Sequence, residues 1–146
     1  MRLRVATAAD IETLFELRTS VRENYQGREE LAAVGVTPAS VAKALVGPAR
    51  AWVAEDDAGT PLGFAMADGV QGTLFALFVR PEAEGRGVGR ALLAAAEAWL
   101  FAGGWKEIWL LTGAEPSLRA HRVYRAAGWR AAGMEDGQVR YTKQAS

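Results

Sequence analysis

Polar and apolar residues alternate from Arg2 to Ala6, the two-residue period of a half-buried strand, and the small polar run Thr7 to Asp10 suits a helix cap. Ile11, Leu14, Phe15, Leu17, Arg18 and Val21 then recur at helical spacing and predict a helix with one core-facing stripe. The stretch RENYQGREELAAVGV, polar and punctuated by glycine, reads as a long connection, which in a compact domain is either disordered or used for binding. Pro38 to Val46 predicts a second, short helix. Ala51 to Glu55 and Pro61 to Ala67 predict a hairpin around the DDAG turn. Thr73 to Val79, TLFALFV, is apolar almost throughout and predicts a central strand with no wet face. Val88 to Ala102 carries Val88, Leu92, Ala95, Ala96 and Trp99 on one helical face and stops at Gly103 and Gly104. Glu107 to Thr112 predicts a buried strand and Pro116 to about Ala127 a helix closed by Gly128. Trp129 to Ala132 and Val139 to Thr142 follow as strands around the turn at Asp136 and Gly137. This alternation predicts a mixed α/β sheet covered by helices.

A chain of 146 residues, half of them hydrophobic, is enough for one core and too short for two ordinary domains, so a single domain over residues 1–146 is expected. Seventeen basic and seventeen acidic side chains balance, which leaves no global positive field to recruit nucleic acid or an anionic membrane. The absence of cysteine removes disulfides, thiolate metal ligands and cysteine nucleophiles together, and fits a reducing compartment. The opening MRLRVATAAD lacks the apolar core of a signal peptide, and no apolar run reaches the roughly 20 residues of a membrane helix. A cytoplasmic protein without a metal, a nucleic-acid partner or a membrane anchor is expected.

The chemistry concentrates in FVRPEAEGRGVGRALL, where a strand passes through Gly85, Gly87 and Gly89 into a helix. Such a junction presents unpaired N–H groups and the positive end of the helix dipole, a natural seat for phosphate or pyrophosphate. Arg86 and Arg90 add positive charge nearby. A dinucleotide loop needs G-x-G-x-x-G, but the sixth position is Arg90 counted from Gly85 and Leu92 counted from Gly87. A nucleoside-triphosphate loop needs a lysine, and this loop has none.

The loop resembles the signature of the Gcn5-related N-acetyltransferases. That signature is Gln or Arg, two residues, Gly, one residue, then Gly or Ala, and it follows a strand ending in valine and proline. Val79, Pro81 and Glu84-Gly85-Arg86-Gly87-Val88-Gly89 keep the spacing, with Glu84 in place of the usual Gln or Arg. Arg4-Val5-Ala6-Thr7 with Asp10 and Leu14 resembles the family's first strand and helix, and Tyr124 with Gly128-Trp129 its Y-x-x-x-G-F/W segment.

The resemblance implies an acyl-CoA N-acyltransferase-like fold: a mixed, mostly antiparallel central sheet flanked by helices on both faces. It implies that Gly85, Arg86, Gly87, Val88, Gly89 and Arg90 cradle the pyrophosphate of acetyl-coenzyme A. The backbones of Leu77, Phe78 and Val79 would bond pantetheine in a gap between parted strands, and Ser117 stands where the family has a cofactor-touching Asn. Tyr124 matches the tyrosine that meets the departing sulfur. A phenol near ~10 beside a thiol near ~8.5 favours a hydrogen bond over full proton transfer. The acceptor amine is expected at Glu23, Asn24 and Tyr25. Its proton has no single designated base: Glu23, Glu55, Asp68 and a relayed water all qualify by position. A serine nucleophile, Ser117 with His121 four residues on, is a weaker rival. The expected activity is direct transfer of acetyl to a primary amine of a small molecule or peptide. A non-catalytic acetyl-CoA-binding sensor or partner module is the alternative, and a homodimer through Val139 to Thr142 is a further expectation.

Overall fold

The computed structural model describes residues 1–21 and 25–146. Its strands are β1 (Arg2–Val5), β2 (Ala49–Glu55), β3 (Pro61–Asp68), β4 (Thr73–Val79), β5 (Glu107–Gly113), β6 (Arg130–Glu135) and β7 (Gln138–Gln144). They form one sheet in the order β1-β2-β3-β4-β5-β7-β6. Every neighbouring pair is antiparallel except β4 and β5, which run parallel. The helices are α1 (Ile11–Arg18), α2 (Arg28–Ala33), α3 (Pro38–Leu45), α4 (Val88–Ala102) and α5 (Arg119–Ala126).

The two-residue period of the central strands divides the core into two layers. In β2 and β3, Trp52, Ala54, Ala65 and Ala67 face one way and pack with Leu92, Ala96 and Leu100 of α4 and with Tyr124 of α5. Ala51, Val53, Phe64 and Met66 face the other way and meet Leu14 and Leu17 of α1 and Val41 of α3. Helices therefore cover both faces of a mixed, mostly antiparallel sheet, as expected. Arg4 ties the first strand to the turn ahead of α1. It donates to both Asp10 oxygens at 2.9 and 2.7 Å and pairs with Glu55 at 3.1 Å. The Arg4 guanidinium is the main cause that holds the Asp10 carboxyl below the usual range.

Several elements differ from the sequence reading, each for a local reason. α1 stops at Arg18 because Thr19 and Ser20 turn their hydroxyls back onto the carbonyls of Phe15 and Leu17, at 2.9 and 2.7 Å. α2 forms within the stretch read as a connection. Glu30 accepts from the Gly27 N–H at 3.3 Å and Leu31 is buried, but six residues are too few to show a period. α5 begins at Arg119, because Pro116 and Ser117 form a turn and Leu118 caps the helix in extended conformation. β4 is central, as expected, but it does have a wet side: Phe75 is 51% exposed, because the sheet parts beside it. β7 is paired on both edges, by β5 and β6, so Val139 to Thr142 offers no free edge for a second copy.

Candidate active site

The site begins at the end of β4. A short 3-10 turn at Pro81–Ala83 leads to Gly85 and Gly87, whose φ angles of +78° and +81° are left-handed. A side chain at either position would meet nothing within 4 Å, so glycine is demanded there by conformation, not by crowding. Gly87 is the N-cap of α4 and no side chain caps that end. The first-turn amides of Val88, Gly89 and Arg90 have no acceptor within the helix, and together with the dipole they suit an anionic group. Val88 itself is buried and anchors the turn.

Beside this loop the sheet divides. β4 and β5 pair only at Thr73 and Trp109. There the Thr73 hydroxyl donates to the Trp109 carbonyl at 2.8 Å, and the Trp109 amide donates to the Gly72 carbonyl at 3.2 Å. Just beyond, Leu74 faces Ala67 and Ala76 faces Met66, which leaves Phe75 as the extra residue of a bulge against β3. From the bulge onward the β5-facing edge of β4 has no strand partner, and Leu77, Phe78 and Val79 are only half-buried.

Two clefts meet at this parting. The smaller, about 370 Å³, is lined by Leu77, Phe78, Val79, Gly85, Gly87, Val88, Gly89 and Arg90, and by Arg119 and Arg122 of α5. The larger, about 740 Å³, lies toward α1, α2 and α3. Leu77, Phe78, Ala120 and Tyr124 line both.

Tyr124 stands at the junction. Its ring packs against Tyr141 and Trp129, with centroids 5.6 and 6.1 Å away. Burial, and after it the neighbouring Tyr141, pushes the phenol well above the usual tyrosine range. A group so shifted keeps its proton at neutral pH and acts as a hydrogen-bond donor.

The remaining sequence candidates scatter. Arg86 is exposed and lies outside the lining of both clefts. Ser117 is likewise exposed, on its turn ahead of α5 and outside both linings. It therefore shares no helix face with His121, whose Nδ1 bonds the Tyr141 hydroxyl at 2.8 Å within the core. Glu55 is held by Arg2 and Arg4, and Asp68 caps its own turn by accepting from the Val70 and Gln71 amides. Neither lines a cleft. Tyr25 lines the larger cleft, half-exposed. Glu23 and Asn24 lie outside the described residues. Glu84 lines the smaller cleft beside the loop and pairs there with Arg119 at 3.2 Å.

Two charged residues of the larger cleft carry little signal in the sequence. Glu30 is the one carboxylate that lines it among the described residues, and Arg18 reaches it from the end of α1. The available hint was positional: Arg18 follows Leu14 by four residues, on the stripe that faces the core. Among the described residues there is no group of three or more His, Cys, Asp or Glu that would hold a metal ion. No helix among them is long and apolar enough to cross a membrane.

The model of the acetyltransferase (GNAT) family matches residues 11–129. No curated protein matches the chain by sequence. Among solved structures, the PaiA N-acetyltransferase of Thermoplasma acidophilum in complex with coenzyme A superposes with a TM-score of 0.84 at 19% identity, over 99% of this chain and 100% of that one. The ribosomal-protein-alanine N-acetyltransferase of Brucella melitensis gives 0.75 at 19% identity, over 99% and 100%. A GNAT superfamily phosphinothricin acetyltransferase of Sinorhizobium meliloti in complex with AcCoA gives 0.72 at 23% identity, over 98% and 87%. At these identities the likeness is one of fold.

Proposed function

The chain belongs to the acetyltransferase (GNAT) family, and from that premise we propose that residues 1–146 form one N-acetyltransferase unit that moves acetyl from acetyl-coenzyme A directly to a primary amine. The observation that carries the reading is the meeting of two clefts at Tyr124, one floored by uncapped helix amides and the other walled by side chains. One site for an anionic cosubstrate and one for an acceptor, joined at a proton donor, is the arrangement a direct transfer needs.

The smaller cleft fits the cosubstrate by its donor set. Gly85, Gly87 and Gly89 leave the space over the loop open, and the amides of Val88, Gly89 and Arg90 point an anion-binding helix end at it. Arg90 adds charge at the rim, and Arg86, outside the lining, adds to the field near the loop. The unpaired edge of Leu77, Phe78 and Val79 offers main-chain groups to an extended amide-bearing chain, as a sheet edge does to a further strand. Acetyl-CoA, when bound, supplies a thioester whose acyl carbon accepts an amine and whose thiolate leaves. Tyr124 donates a hydrogen bond to that leaving sulfur, its raised pKa favouring donation over loss of the proton. Ser117 takes no part in this reading.

The acceptor amine enters by the larger cleft, past Tyr25. An alkylamine near ~10.4 arrives as ammonium and must lose a proton before attack. Glu30 draws the ammonium to the rim, and the open cleft passes the proton to solvent. Two of the solved structures named above carry different acceptors in their names, ribosomal-protein alanine and phosphinothricin, so they favour no one amine for this chain. A cytoplasmic location belongs to the same proposal, as does a homodimer.

The test is an acceptor screen with purified protein, read as free coenzyme A by a thiol-reactive dye. The chain has no cysteine to add background. Release of thiol that depends on both acetyl-CoA and an amine is expected. A rise in melting temperature with acetyl-CoA, but no release with any amine, would replace the enzyme reading with a binding module.

A further inference from the structure

We propose that the acceptor is an amine that also carries a carboxylate, and that Arg18 grips this carboxylate at the inner end of the larger cleft. The proposal deepens the acetyltransferase reading and rests on it.

Arg18 closes α1 on the stripe that also carries Leu14, so its long side chain runs along the core-facing side of the helix to β4. The guanidinium carbon sits 4.2 Å from the centroid of the Phe78 ring. Phe78 lines both clefts, so this charge stands close to where the acyl group would be transferred. Nη2 donates to Oε1 of Gln26 at 3.0 Å. Nη1 is buried and has no hydrogen-bond partner among the described residues.

The contrast with other arginines sharpens the point. Arg2, Arg4, Arg28, Arg80, Arg119 and Arg140 each pair with an aspartate or glutamate. Among the described residues Arg18 has a glutamine amide and an aromatic face but no carboxylate. Burial alone lowers its pKa, as expected of a cation without a counter-ion. A guanidinium stays charged in a protein, so setting one among apolar side chains with a donor unused is costly until an anion arrives. A carboxylate matches the planar donor fork. Glu30, the carboxylate lining the same cleft, attracts the ammonium at the rim on entry, and Arg18 holds the carboxylate once the amine has moved in to Tyr124. A diamine would set its second ammonium against Arg18 and be disfavoured.

The experiment compares matched acceptors at saturating acetyl-CoA: α-amino acids, their carboxamides, aliphatic diamines and aminoalkyl phosphates. Wild-type kcat/KM for a carboxylate is expected to exceed that of its carboxamide by on the order of 10²-fold, mostly through KM. Arg18→Gln should bring that ratio close to one, and Arg18→Lys should restore part of it. A structural role for Arg18 would lower both members together and leave the ratio where it was, which overturns the proposal. So does equal or better use of carboxamides or diamines by the wild type, and preference for the phosphates overturns the choice of carboxylate. If Arg18→Gln fails to fold, the wild-type ratio and Arg18→Lys decide alone. If no amine releases coenzyme A, the acetyltransferase reading fails separately. The carboxylate site is then judged by melting temperature with coenzyme A present: amino acids must raise it in the wild type and not in Arg18→Gln, and no rise in the wild type overturns it.

Discussion

The two clefts are made of different material. The smaller is floored by main chain: left-handed glycines, an uncapped helix start and the bare edge of a strand. The larger is walled by side chains drawn from α1, α2 and α3 and from β3 and β4. A backbone site tolerates many neighbours provided its few conformational demands are met, whereas a side-chain site changes with each residue that lines it. The first is suited to a constant cosubstrate and the second to a particular acceptor.

Substitutions can break this division of labour, the strongest first. Gly89→Glu should abolish acetyl-CoA binding, with loss beyond about 100-fold by calorimetry, because a carboxylate would occupy the anion's place at the helix start. A Cβ there lies 3.6 Å from Val79, an ordinary contact, so the melting temperature should hold; unchanged affinity would unseat the loop assignment. Tyr124→Phe, at the junction, should lower kcat on the order of 10²-fold while acetyl-CoA affinity stays within about threefold. Because burial lifts the phenol, the wild-type rate should show no alkaline fall near pH 10, where an ordinary tyrosine titrates; a limb there would contradict its role as a held donor. Glu30→Gln should raise the acceptor KM several-fold, about what one exposed charge contributes, without touching acetyl-CoA affinity. Glu84→Gln should change acetyl-CoA affinity least, by no more than about threefold and toward tighter binding. It removes a negative charge beside the loop and one partner of the exposed Arg119 pair. Looser binding would mean that the pair holds the cleft in shape.

The same division explains what the sequence disclosed. Gly85, Gly87 and Gly89 were legible because left-handed turns and helix starts restrict residue type at fixed spacing. The central strands and α4 were legible because their burial imposes a period. The parting of β4 from β5 was implied only by resemblance, and the Phe75 bulge that accompanies it was not foreseen, since TLFALFV reads the same whether one edge is paired or bare. Arg18 and Glu30 were missed as site residues for a different reason. Each is an ordinary helix residue until the chain brings α1, α2 and β4 around one hollow. Ser117 falls within the helix the sequence predicts because a proline suits a first helical turn, whereas Pro116 belongs to a turn that ends before Arg119.

Thr73 and Trp109 form the single rung between the four strands on one side of the sheet and the three on the other. Whatever lies lengthwise along the bare edge of β4 completes that ladder and stiffens the molecule across its weakest seam. Amide-hydrogen exchange in β5 and β7, well away from the glycine loop, should therefore slow when acetyl-CoA is added, and the cosubstrate would act as a structural member of the sheet as well as a reactant.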